Sequence, residues 1–500
     1  MKRSIAELME TTGVKFGTSG ARGLATEMTD FVCYAYTRGF LQYLRDTGEL
    51  PRTGSSVAFA GDFRPSTDRI MTAACRAIAD LGHTPVNCGK VPSPAVALLG
   101  LSRGIPAIMV TGSHIPDDRN GIKFNKTSGE ILKDDEAGIT GQIVEIDDVL
   151  FDAAGAFARP DSAASPAITE ARDAYVARYL DTFPHDALRG LRLGVYQHSA
   201  VGRDVLVDIL RGLGAEVSPL GRSEKFIPVD TEAIRPEDVA LAREWAGSQR
   251  FDAIVSADGD SDRPLISDER GEWLRGDVAG ILAARFLGAD SVSTPVSCNT
   301  AVEKCGWFSE MRRTRIGSPF VVASMIEASA RGARRVVGYE ANGGFLLNSH
   351  LDLGLGGKIL RALPTRDAVI VMLGVLLLAR REGKSVAQLV ASLPARYTAS
   401  DRLKNFPTEQ SRAILARFNS SDQAADRRAL DLVFEATFGS VAEVDRTDGV
   451  RVTFASEEIV HLRPSGNAPE FRCYAEAATP ARAEEIIRLS LDLVRRLATG

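Results

Sequence analysis

The feature that most constrains the fold of this chain is a repeated alternation of strand-like and helix-like segments. In each copy, a short apolar segment leads through a polar loop to an amphipathic helical segment of about four turns, then to a second apolar segment. The pattern occurs at 55–89, at 191–221 and, more weakly, at 292–318. Gly82 and Gly214 end the first two helical segments, where a left-handed cap favours glycine. Repeated β-α-β units predict mostly parallel sheets covered by helices.

The chain is too long, at 500 residues, for one ordinary core, and its composition changes along its length. An Ala-, Pro- and Ser-rich stretch at 151–166 is typical of a linker. Near the C-terminus the sequence predicts polar helices, a hairpin with its turn at Asp448-Gly449, and a final helix. We therefore expect an α/β fold with three related mixed-sheet α/β domains and a smaller C-terminal α+β domain. The expected domains are 1–155, 156–270, 271–380 and 381–500.

Charge and hydropathy argue against two classes of partner. The 60 basic and 65 acidic residues leave a net charge of -5, whereas nucleic-acid binding needs a basic surface. The longest apolar run, 368–379, is shorter than the roughly 20 residues of a membrane span, so it predicts a buried helix. The N-terminal segment lacks the apolar core of a signal peptide, and six scattered cysteines are typical of free thiols in a reducing compartment. We expect a cytoplasmic protein that binds neither nucleic acid nor membrane.

Three acidic residues follow a strand-like apolar segment in ADGDSDRP, at 257–264. Asp258, Asp260 and Asp262 concentrate negative charge in one short loop, and a hard divalent cation is the usual means of balancing it. A solvated acidic turn is the plain alternative. A helix-loop-helix calcium site is disfavoured because Arg263 stands where that loop needs glycine and because a strand precedes it. The pattern favours magnesium shared with a phosphate.

A second motif, TGSHIP at 111–116, leaves another apolar segment. A serine on a tight turn after a strand can present its hydroxyl to a site, and His114 beside Ser113 could orient or polarise that hydroxyl. The motif lacks the Gly-x-Ser-x-Gly elbow of one large class of hydrolases. Lys123 follows ten residues later and offers a cation or a proton-transfer group, although a lone lysine is usually a surface residue.

Three more loops carry polar groups suited to a phosphosugar. The sequence RPSGNAPEFR at 463–472 combines arginines, which bind phosphate through two donors, with a glycine that lets backbone amides approach. VVGYEANGGFLL at 336–347 places an acid beside an amide, a combination that suits sugar hydroxyls. KFGTSGARG at 15–23 adds an arginine in a glycine-rich loop, and each of the three could also be a plain turn. The candidate residues are Arg463, Ser465, Asn467, Arg472, Glu340, Asn342 and Arg22.

Together these motifs resemble those of one family, the α-D-phosphohexomutases, in the family's order and over nearly the whole chain. TGSHIP is similar to the family's phosphoserine loop (111–116), DGDSDR to its metal loop (258–263), GYEANGG to its sugar loop (338–344) and RPSGNAPEFR to its phosphate loop (463–472). The resemblance implies four domains around a central cleft, each contributing one of these loops in that order.

The resemblance also implies a role for each candidate. Ser113 carries the phosphoryl group, and a phosphoserine oxygen binds Mg²⁺ together with Asp258, Asp260 and Asp262. His114, Lys123, Arg22 and Arg263 assist catalysis. The substrate, a hexose phosphate, is bound by Glu340, Asn342, Arg463, Ser465, Asn467 and Arg472. The implied reaction interconverts hexose 1-phosphate and hexose 6-phosphate, of mannose and/or glucose, with hexose 1,6-bisphosphate as intermediate and activator.

The sequence departs from the family pattern in ways that bear on the sugar. Gly112 stands where alanine is usual, Ile115 where asparagine is usual, and Gly344 replaces a histidine of the phosphomannomutase/phosphoglucomutase sugar loop. Glu-Ala-Asn-Gly is instead similar to the loop of N-acetylglucosamine phosphate mutases, so a phosphoglucosamine or N-acetylglucosamine-phosphate mutase is the alternative. A sugar-phosphate phosphatase and an inactive sugar-phosphate sensor are the readings from other classes. We expect a mutase of the phosphomannomutase/phosphoglucomutase type, as a monomer or homodimer.

Overall fold

The computed structural model describes residues 1–17, 20–159, 165–420, 422–465 and 469–499. The first domain is a mixed sheet with its helices. Its strands are β1 (Lys2–Ser4), β2 (Lys15–Phe16), β3 (Gly20–Leu24), β4 (Ser56–Gly61), β5 (Thr84–Lys90), β6 (Ala107–Val110), β7 (Arg119–Lys126), β8 (Gly129–Glu130) and β9 (Ile143–Glu145). Its helices are α1 (Ile5–Thr12), α2 (Asp30–Asp46), α3 (Thr67–Asp80), α4 (Ser93–Arg103) and α5 (Lys133–Thr140). The strand order is β2-β3-β7-β6-β4-β5, with β8 on β7 and a separate β1-β9 pair.

The second and third domains each contain a four-stranded sheet. The second comprises α6 (Glu170–Leu180), β10 (Arg192–His198), α7 (Arg203–Gly212), β11 (Glu216–Arg222), α8 (Pro236–Gln249), β12 (Ala253–Ala257) and β13 (Pro264–Ile266). The third comprises α9 (Gly276–Leu287), β14 (Ser291–Pro295), α10 (Ala301–Lys304), β15 (Glu310–Thr314), α11 (Ser318–Ala330), β16 (Val336–Tyr339), β17 (Phe345–Leu347), α12 (Ala368–Glu382) and α13 (Val386–Ala391). Their strand orders are β11-β10-β12-β13 and β15-β14-β16-β17.

The three sheets contain the same four-strand unit, seen as β5-β4-β6-β7 in the first domain. The first two strands of each unit are parallel and joined by a helix, and the third strand lies parallel on the other side of the first. The fourth strand turns back antiparallel to the third. The expectation of three related mixed-sheet domains is confirmed.

One loop position recurs in this unit, between its third and fourth strands. The phosphoserine loop lies there in the first domain, the metal loop in the second, and residues 340–344 of the sugar loop in the third. In all three domains the loop leaves the carboxyl end of a buried parallel strand. The repeat therefore places three of the four sequence motifs at corresponding positions.

The third repeat departs from the expected helix length. Its helix α10 has four residues, whereas α3 has 14 and α7 has ten. The chain leaves the helix at Gly306, whose φ is 66°, and Trp307 and Phe308 then pack against the core. The predicted glycine caps of the other two copies are confirmed, with φ values of 77° at Gly82 and 91° at Gly214.

The apolar run 368–379 forms α12, and all twelve of its side chains are buried, as predicted. It packs against α9 of the same domain. Asp367 begins the helix by accepting from the Val369 amide and from the hydroxyl of Tyr175 in the second domain. No helix in the described ranges is long and apolar enough to cross a membrane. All six cysteines are free thiols.

The C-terminal domain is an α+β unit with its own apolar core, as predicted. Its elements are β18 (Tyr397–Lys404), α14 (Thr408–Ala416), α15 (Gln423–Phe438), β19 (Val441–Asp445), β20 (Val450–Phe454), β21 (Ile459–Pro464), β22 (Glu470–Ala477) and α16 (Pro480–Thr499). The five strands form an antiparallel sheet in the order β18-β22-β21-β20-β19. Gly449, with a φ of 81°, lies in the turn of the predicted hairpin, and the described residues of the phosphate loop lie at the end of β21 and at the start of β22.

Candidate active site

The phosphoserine loop is held by a buried network beneath it. Ser113 is fully buried and adopts a left-handed backbone with a φ of 59°. Its amide donates to Thr111 Oγ1 at 2.7 Å, and its carbonyl accepts from Arg64 Nη2 at 2.7 Å. The carboxylate of Asp62 accepts from both Thr111 and Arg64. A left-handed serine is energetically unfavourable, so these bonds fix its position.

Position 112 has no room for a side chain, because Arg64 lies directly beneath the loop. A Cβ at this position would lie 2.7 Å from Arg64 Cζ. Arg64 is only 2% exposed and also donates to the Pro116 carbonyl, so it cannot move away freely. The glycine in place of the family's alanine is therefore explained by a buried arginine.

The serine meets the metal loop of the second domain. Ser113 Oγ donates to Asp258 Oδ2 at 2.5 Å. One ligand atom each from Asp258, Asp260 and Asp262 lies within 4.8 Å of the others, and all three residues are buried. Oδ1 of Asp260 and Oδ1 of Asp262 are buried without a hydrogen-bond partner in the described part of the chain. A set of converging carboxylate oxygens, two of them unsatisfied, fits a hard divalent cation.

Lys123 is buried against the metal loop and is not a surface lysine. It lies on β7 opposite Met109 of β6, so it is close to the strand that leads into the phosphoserine loop. Its Nζ donates to Asp260 Oδ2 at 2.5 Å and to Asp262 Oδ2 at 2.6 Å. Ser93 of the first domain also donates to Asp260 Oδ2, at 2.5 Å. The first domain thus holds the metal loop in place.

The surroundings shift the pKa values of the three carboxylates in different directions. Burial, then the charges of Asp260 and Asp262, raise the pKa of Asp258 well above its ordinary value. Burial also acts to raise the pKa of Asp262, but Arg366, Lys123 and Arg263 outweigh it and hold that pKa below its ordinary value. Lys123 and Ser93 similarly hold down the pKa of Asp260 against burial and Asp262. A divalent cation would offset the burial and the mutual repulsion that raise the pKa of Asp258.

His114 and Arg263 lie beside the serine. Because a guanidinium only donates, His114 Nδ1 accepts from Arg263 Nη1, and the neutral ring carries its proton on Nε2. Nε2 lies 3.9 Å from Asp230 Oδ2, and Nδ1 lies 3.4 Å from Ser113 Oγ. Burial, then Arg263, lower the pKa of His114 to about 3. The histidine is therefore neutral near pH 7 and orients groups more readily than it takes up a proton.

Arg22 adds positive charge to the same place. It lies on β3, paired with Gly121 of β7, and a side chain at Gly121 would meet Arg22 Cγ at 3.0 Å. Desolvation, then the charge of Arg263, lower the pKa of Arg22 to about 10, so the guanidinium stays charged at neutral pH. Together with Arg263, this makes the site suited to an anionic substrate.

The sugar loop of the third domain is joined to the metal loop through Arg366. Arg366 Nε donates to Asp262 Oδ2 at 3.0 Å, and Nη1 donates to Glu340 Oε2 at 3.3 Å. Asn342 Oδ1 accepts from the Gly344 amide at 2.9 Å, which shapes the loop. The Asn342 carbonyl accepts from Thr231 of the second domain at 2.7 Å. The structure thus brings together the candidate residues of the first three domains.

The arginines of the phosphate loop pair within their own domain. Arg463 and Arg472 are cross-strand partners on β21 and β22, and the Nε atom of each is buried without a hydrogen-bond partner in the described residues. Arg463 Nε lies 3.4 Å from Asp448 Oδ1, and Arg472 Nη2 lies 3.5 Å from Glu470 Oε2. The Ser465 amide donates to the Glu470 carbonyl at 2.9 Å. Asn467 lies outside the described residues.

Sequence reasoning missed four residues that support the site. They belong to no motif, and each acts on a partner far away in the chain. Ser93 and Asp260 are 167 positions apart, and Arg366 and Asp262 are 104 apart. The available signal was indirect, because the unusual glycines 112 and 344 mark the places that two arginines occupy. The four residues are Arg64, Ser93, Asp230 and Arg366.

The chain matches the four domain families of phosphoglucomutase/phosphomannomutase. Alpha/beta/alpha domains I, II and III match residues 13–149, 173–271 and 275–397, and the C-terminal domain matches 402–489. The four matches follow the order of the sequence motifs.

Curated relatives match over nearly the whole chain. A "phosphomannomutase" of Sinorhizobium fredii is 44% identical over 96% of this chain and 99% of its own length. A "phosphomannomutase" of Salmonella muenchen is 41% identical over 98% of this chain and 97% of its own. A "phosphoglucosamine mutase" of Listeria welshimeri is 25% identical over 97% of this chain and 98% of its own.

Solved structures share the fold at lower identity. A phosphoglucomutase/phosphomannomutase family protein from Burkholderia thailandensis has a TM-score of 0.73 at 20% identity, covering 98% of both chains. An N-acetylphosphoglucosamine mutase from Aspergillus fumigatus, in complex with GlcNAc-6P and magnesium, has a TM-score of 0.61 at 15% identity, covering 99% of this chain and 98% of that one. With four matching domain families and relatives above 40% identity along nearly its whole length, this chain belongs to the phosphoglucomutase/phosphomannomutase family.

Proposed function

We propose that this phosphohexomutase interconverts mannose 1-phosphate and mannose 6-phosphate, and that it also accepts glucose phosphates. The observation that carries the mechanism is the 2.5 Å bond from Ser113 Oγ to Asp258, which joins the phosphoryl carrier to a buried carboxylate triad. The sugar is inferred from the two relatives above 40% identity, both named phosphomannomutase.

The reaction begins from the enzyme phosphorylated on Ser113. The bond from phosphorus to Ser113 Oγ breaks as a bond forms to the free hydroxyl oxygen of the hexose monophosphate. That hydroxyl loses its proton, Ser113 Oγ gains one, and the sugar becomes hexose 1,6-bisphosphate. That intermediate turns around in the cleft. The phosphate that the substrate brought with it is then transferred to Ser113, which leaves the isomerised monophosphate. Phosphoryl transfer is mostly positioning and electrostatic stabilisation, which suits the cluster of cations around the serine.

Asp258, Asp260 and Asp262, with a phosphoserine oxygen, are the proposed ligands of Mg²⁺, which would neutralise the charge of the phosphoserine when bound. Lys123 Nζ lies against two of these carboxylates and is the proposed group for proton transfer at the reacting hydroxyl. Arg22 and Arg263 stabilise negative charge on the transferring group, and His114, held by Arg263, supports the site by lying beside Ser113.

The substrate is held at its other end by the sugar and phosphate loops. Glu340 and Asn342 bind sugar hydroxyls, while Arg463, Ser465, Asn467 and Arg472 bind the phosphate that is not being transferred. The Nε atoms of Arg463 and Arg472 make no hydrogen bond within the described residues, which supports this assignment. A phosphatase has no need of a second phosphate site, and a sensor has no need of a serine bonded into a carboxylate triad. A phosphoglucosamine or N-acetylglucosamine-phosphate mutase is the second candidate, favoured by the Glu-Ala-Asn-Gly sequence of the sugar loop.

The test is a phosphorus-31 NMR assay with magnesium and a trace of glucose 1,6-bisphosphate. Mannose, glucose, glucosamine and N-acetylglucosamine 1-phosphates are offered separately, and we expect 6-phosphate product fastest from the mannose ester. Fastest turnover of an amino sugar would move the assignment to the second candidate. Release of inorganic phosphate without isomerised product would overturn the mutase assignment.

Cell location, assembly and domain boundaries complete the proposal. The six free thiols support a cytoplasmic protein. The assembly is proposed to be a monomer or homodimer, which light scattering would decide. The boundaries near 155, 270 and 380 stay predictions that limited proteolysis can test, and the last of them falls inside α12, which together with α13 packs with the third domain.

A further inference from the structure

One buried guanidinium connects the loops of the second and third domains. The Arg366 side chain is 2% exposed, and its nitrogen atoms contact Asp262 Oδ2, Glu340 Oε2 and Ser318 Oγ at 3.0, 3.3 and 3.1 Å. Asp262 is a proposed metal ligand, and Glu340 is a proposed sugar ligand. Arg366 therefore fixes the distance between a group that acts on the metal and a group that acts on the sugar.

The stem of the same arginine fills the space beside Gly344. A Cβ at Gly344 would lie 2.4 Å from Arg366 Cδ and 2.7 Å from Cγ. The backbone of Gly344 is not left-handed, so glycine is needed there for space and not for conformation. The Arg366 stem thus accounts for the absence of a side chain where the related sugar loop carries a histidine.

A second set of bonds ties this arrangement to the first domain. Glu130, on β8, accepts from Ser318 Oγ at 3.1 Å and from Thr365 Oγ1 at 2.5 Å. Ser318 bonds to Arg366, and Thr365 precedes it in the chain. The guanidinium is consequently anchored from three domains at once. A buried charge that bonds to several partners keeps those partners in one geometry.

We propose that Arg366 is a positioning residue of the mutase reaction, and that Gly344 is retained because it makes room for the arginine. This inference rests on the proposed function. Arg366 orients the Glu340 carboxylate for the sugar hydroxyls relative to the reacting phosphoryl group. The sugar is then presented to Ser113 at a distance set by the Asp262–Arg366–Glu340 chain.

A purely structural ion pair would behave differently. Its loss would lower stability and leave the affinity for sugar phosphate unchanged in the molecules that remain folded. A positioning role requires that sugar binding weakens when Arg366 is displaced, even where the fold survives. Removing the arginine outright would take a cation away from the buried carboxylates of Glu340 and Asp262, of which Asp262 would keep Lys123, so gentler changes are needed.

The first variant is Gly344→Ala, whose methyl group must displace the Arg366 stem. The matched control is Gly247→Ala, because a Cβ at that helical position meets no atom within 4 Å. The second variant is Arg366→Lys, which keeps the charge but cannot bond several partners as a planar fork. Calorimetry measures the binding of mannose 1-phosphate to EDTA-treated protein, and steady-state kinetics gives KM and kcat with magnesium.

We expect Gly344→Ala and Arg366→Lys each to weaken mannose 1-phosphate binding and raise KM by about tenfold, equivalent to about 1.4 kcal/mol. The double variant should bind mannose 1-phosphate no more weakly than the more impaired of the two single variants, because both changes disrupt the same set of contacts. Gly247→Ala should bind as the wild type does. Unchanged binding in both folded single variants, or additive losses in the double variant, would overturn the inference. A wild type that isomerises no hexose phosphate would instead overturn the proposed function.

Discussion

Ser113 and Asp258 come from different domains and are 145 positions apart in the chain, yet Oγ of the serine donates to Oδ2 of the aspartate at 2.5 Å. The contact exists because the phosphoserine loop and the metal loop each leave the carboxyl end of a buried strand in their own sheets. It places the hydroxyl that would carry phosphate on the carboxylate whose pKa is most raised by its surroundings. A phosphate on Ser113 would bring further negative charge to this point, so phosphorylation and cation binding must be coupled.

The phosphoryl carrier can be tested by mass. We expect a fraction of the purified protein to be heavier by one phosphate, which maps to Ser113. Ser113→Ala should lose this species and lower kcat by orders of magnitude, because no nucleophile remains. Ser102→Ala, which removes a hydroxyl that donates to the Leu99 carbonyl, is the control and should keep both the phosphate and the activity. A fully active Ser113→Ala protein would exclude the mechanism.

The metal can be tested by chelation and by removing one ligand charge. EDTA should inactivate the wild type, and Mg²⁺ should restore it. Asp260→Asn should lower kcat by about 100-fold or more, since a metal supplies several kcal/mol of charge stabilisation in the transition state. Asp252→Asn, just before the other end of β12, should stay active. Activity that is indifferent to chelation would refute the metal assignment.

The phosphate loop can be tested through the intermediate. Arg472→Ala should remove a charge-assisted bond of about 1.5–3 kcal/mol and weaken productive binding by about 10- to 150-fold. The bisphosphosugar should then escape while it reorients, and free hexose 1,6-bisphosphate should accumulate during turnover. The control is Arg402→Ala, the cross-strand neighbour of Arg472, which pairs with the same Glu470. Equal accumulation in both variants would show that Arg472 does not hold the intermediate.

The C-terminal domain should lose stability in mild acid through His461. Burial lowers the pKa of this residue to about 4, and its Nε2 donates to the Asp448 carbonyl. From pH 6.5 down to about 4 the unfolded chain binds a proton that the folded chain does not, so the free energy of unfolding falls by about 1.4 kcal/mol per pH unit from this group. Below the folded pKa both states are protonated and the effect ends.

The measurement is urea unfolding of the wild type and His461→Gln between pH 4 and pH 7. The variant keeps an amide donor but has no group that titrates here, so its stability should fall less steeply with acid. Parallel stability curves for the two proteins would contradict the prediction.

The fold was predictable from the sequence because the repeated unit is written in local patterns. The strand and helix periods at 55–89 and 191–221 lie within single β-α-β units, and glycine caps mark where their helices end. The pattern at 292–318 predicts a helix of about four turns, whereas α10 has four residues and is followed by Gly306 and two aromatic residues that pack on the core. Local pattern gives an element's type more reliably than its length.

The candidate site was predictable only where its residues are neighbours in the chain. The sequence shows a cluster of acids at Asp258, Asp260 and Asp262. In contrast, Arg366 contacts Asp262 from 104 positions away and belongs to no motif. The indirect sign of Arg366 in the sequence is Gly344. From the sequence alone this glycine is only the absence of a histidine, and the structure shows that the arginine stem occupies the space. Gly112 and Arg64 form a second such pair. Residues that make room for another side chain cannot be interpreted before their partner is known.

The shared position of the three loops has a consequence for how such enzymes diversify. The loops proposed to carry the phosphoryl group, bind the metal and bind the sugar occupy the same position in three copies of one unit, each between a pair of antiparallel strands. The sequence of one loop can therefore change while the other two loops and the sheets that hold them stay the same. The sugar loop also packs on Arg366. A sugar loop taken from a related enzyme therefore needs, at position 366, a side chain that fits its shape. New sugar preferences would then be inherited as matched pairs of loop and arginine position, and not as single substitutions.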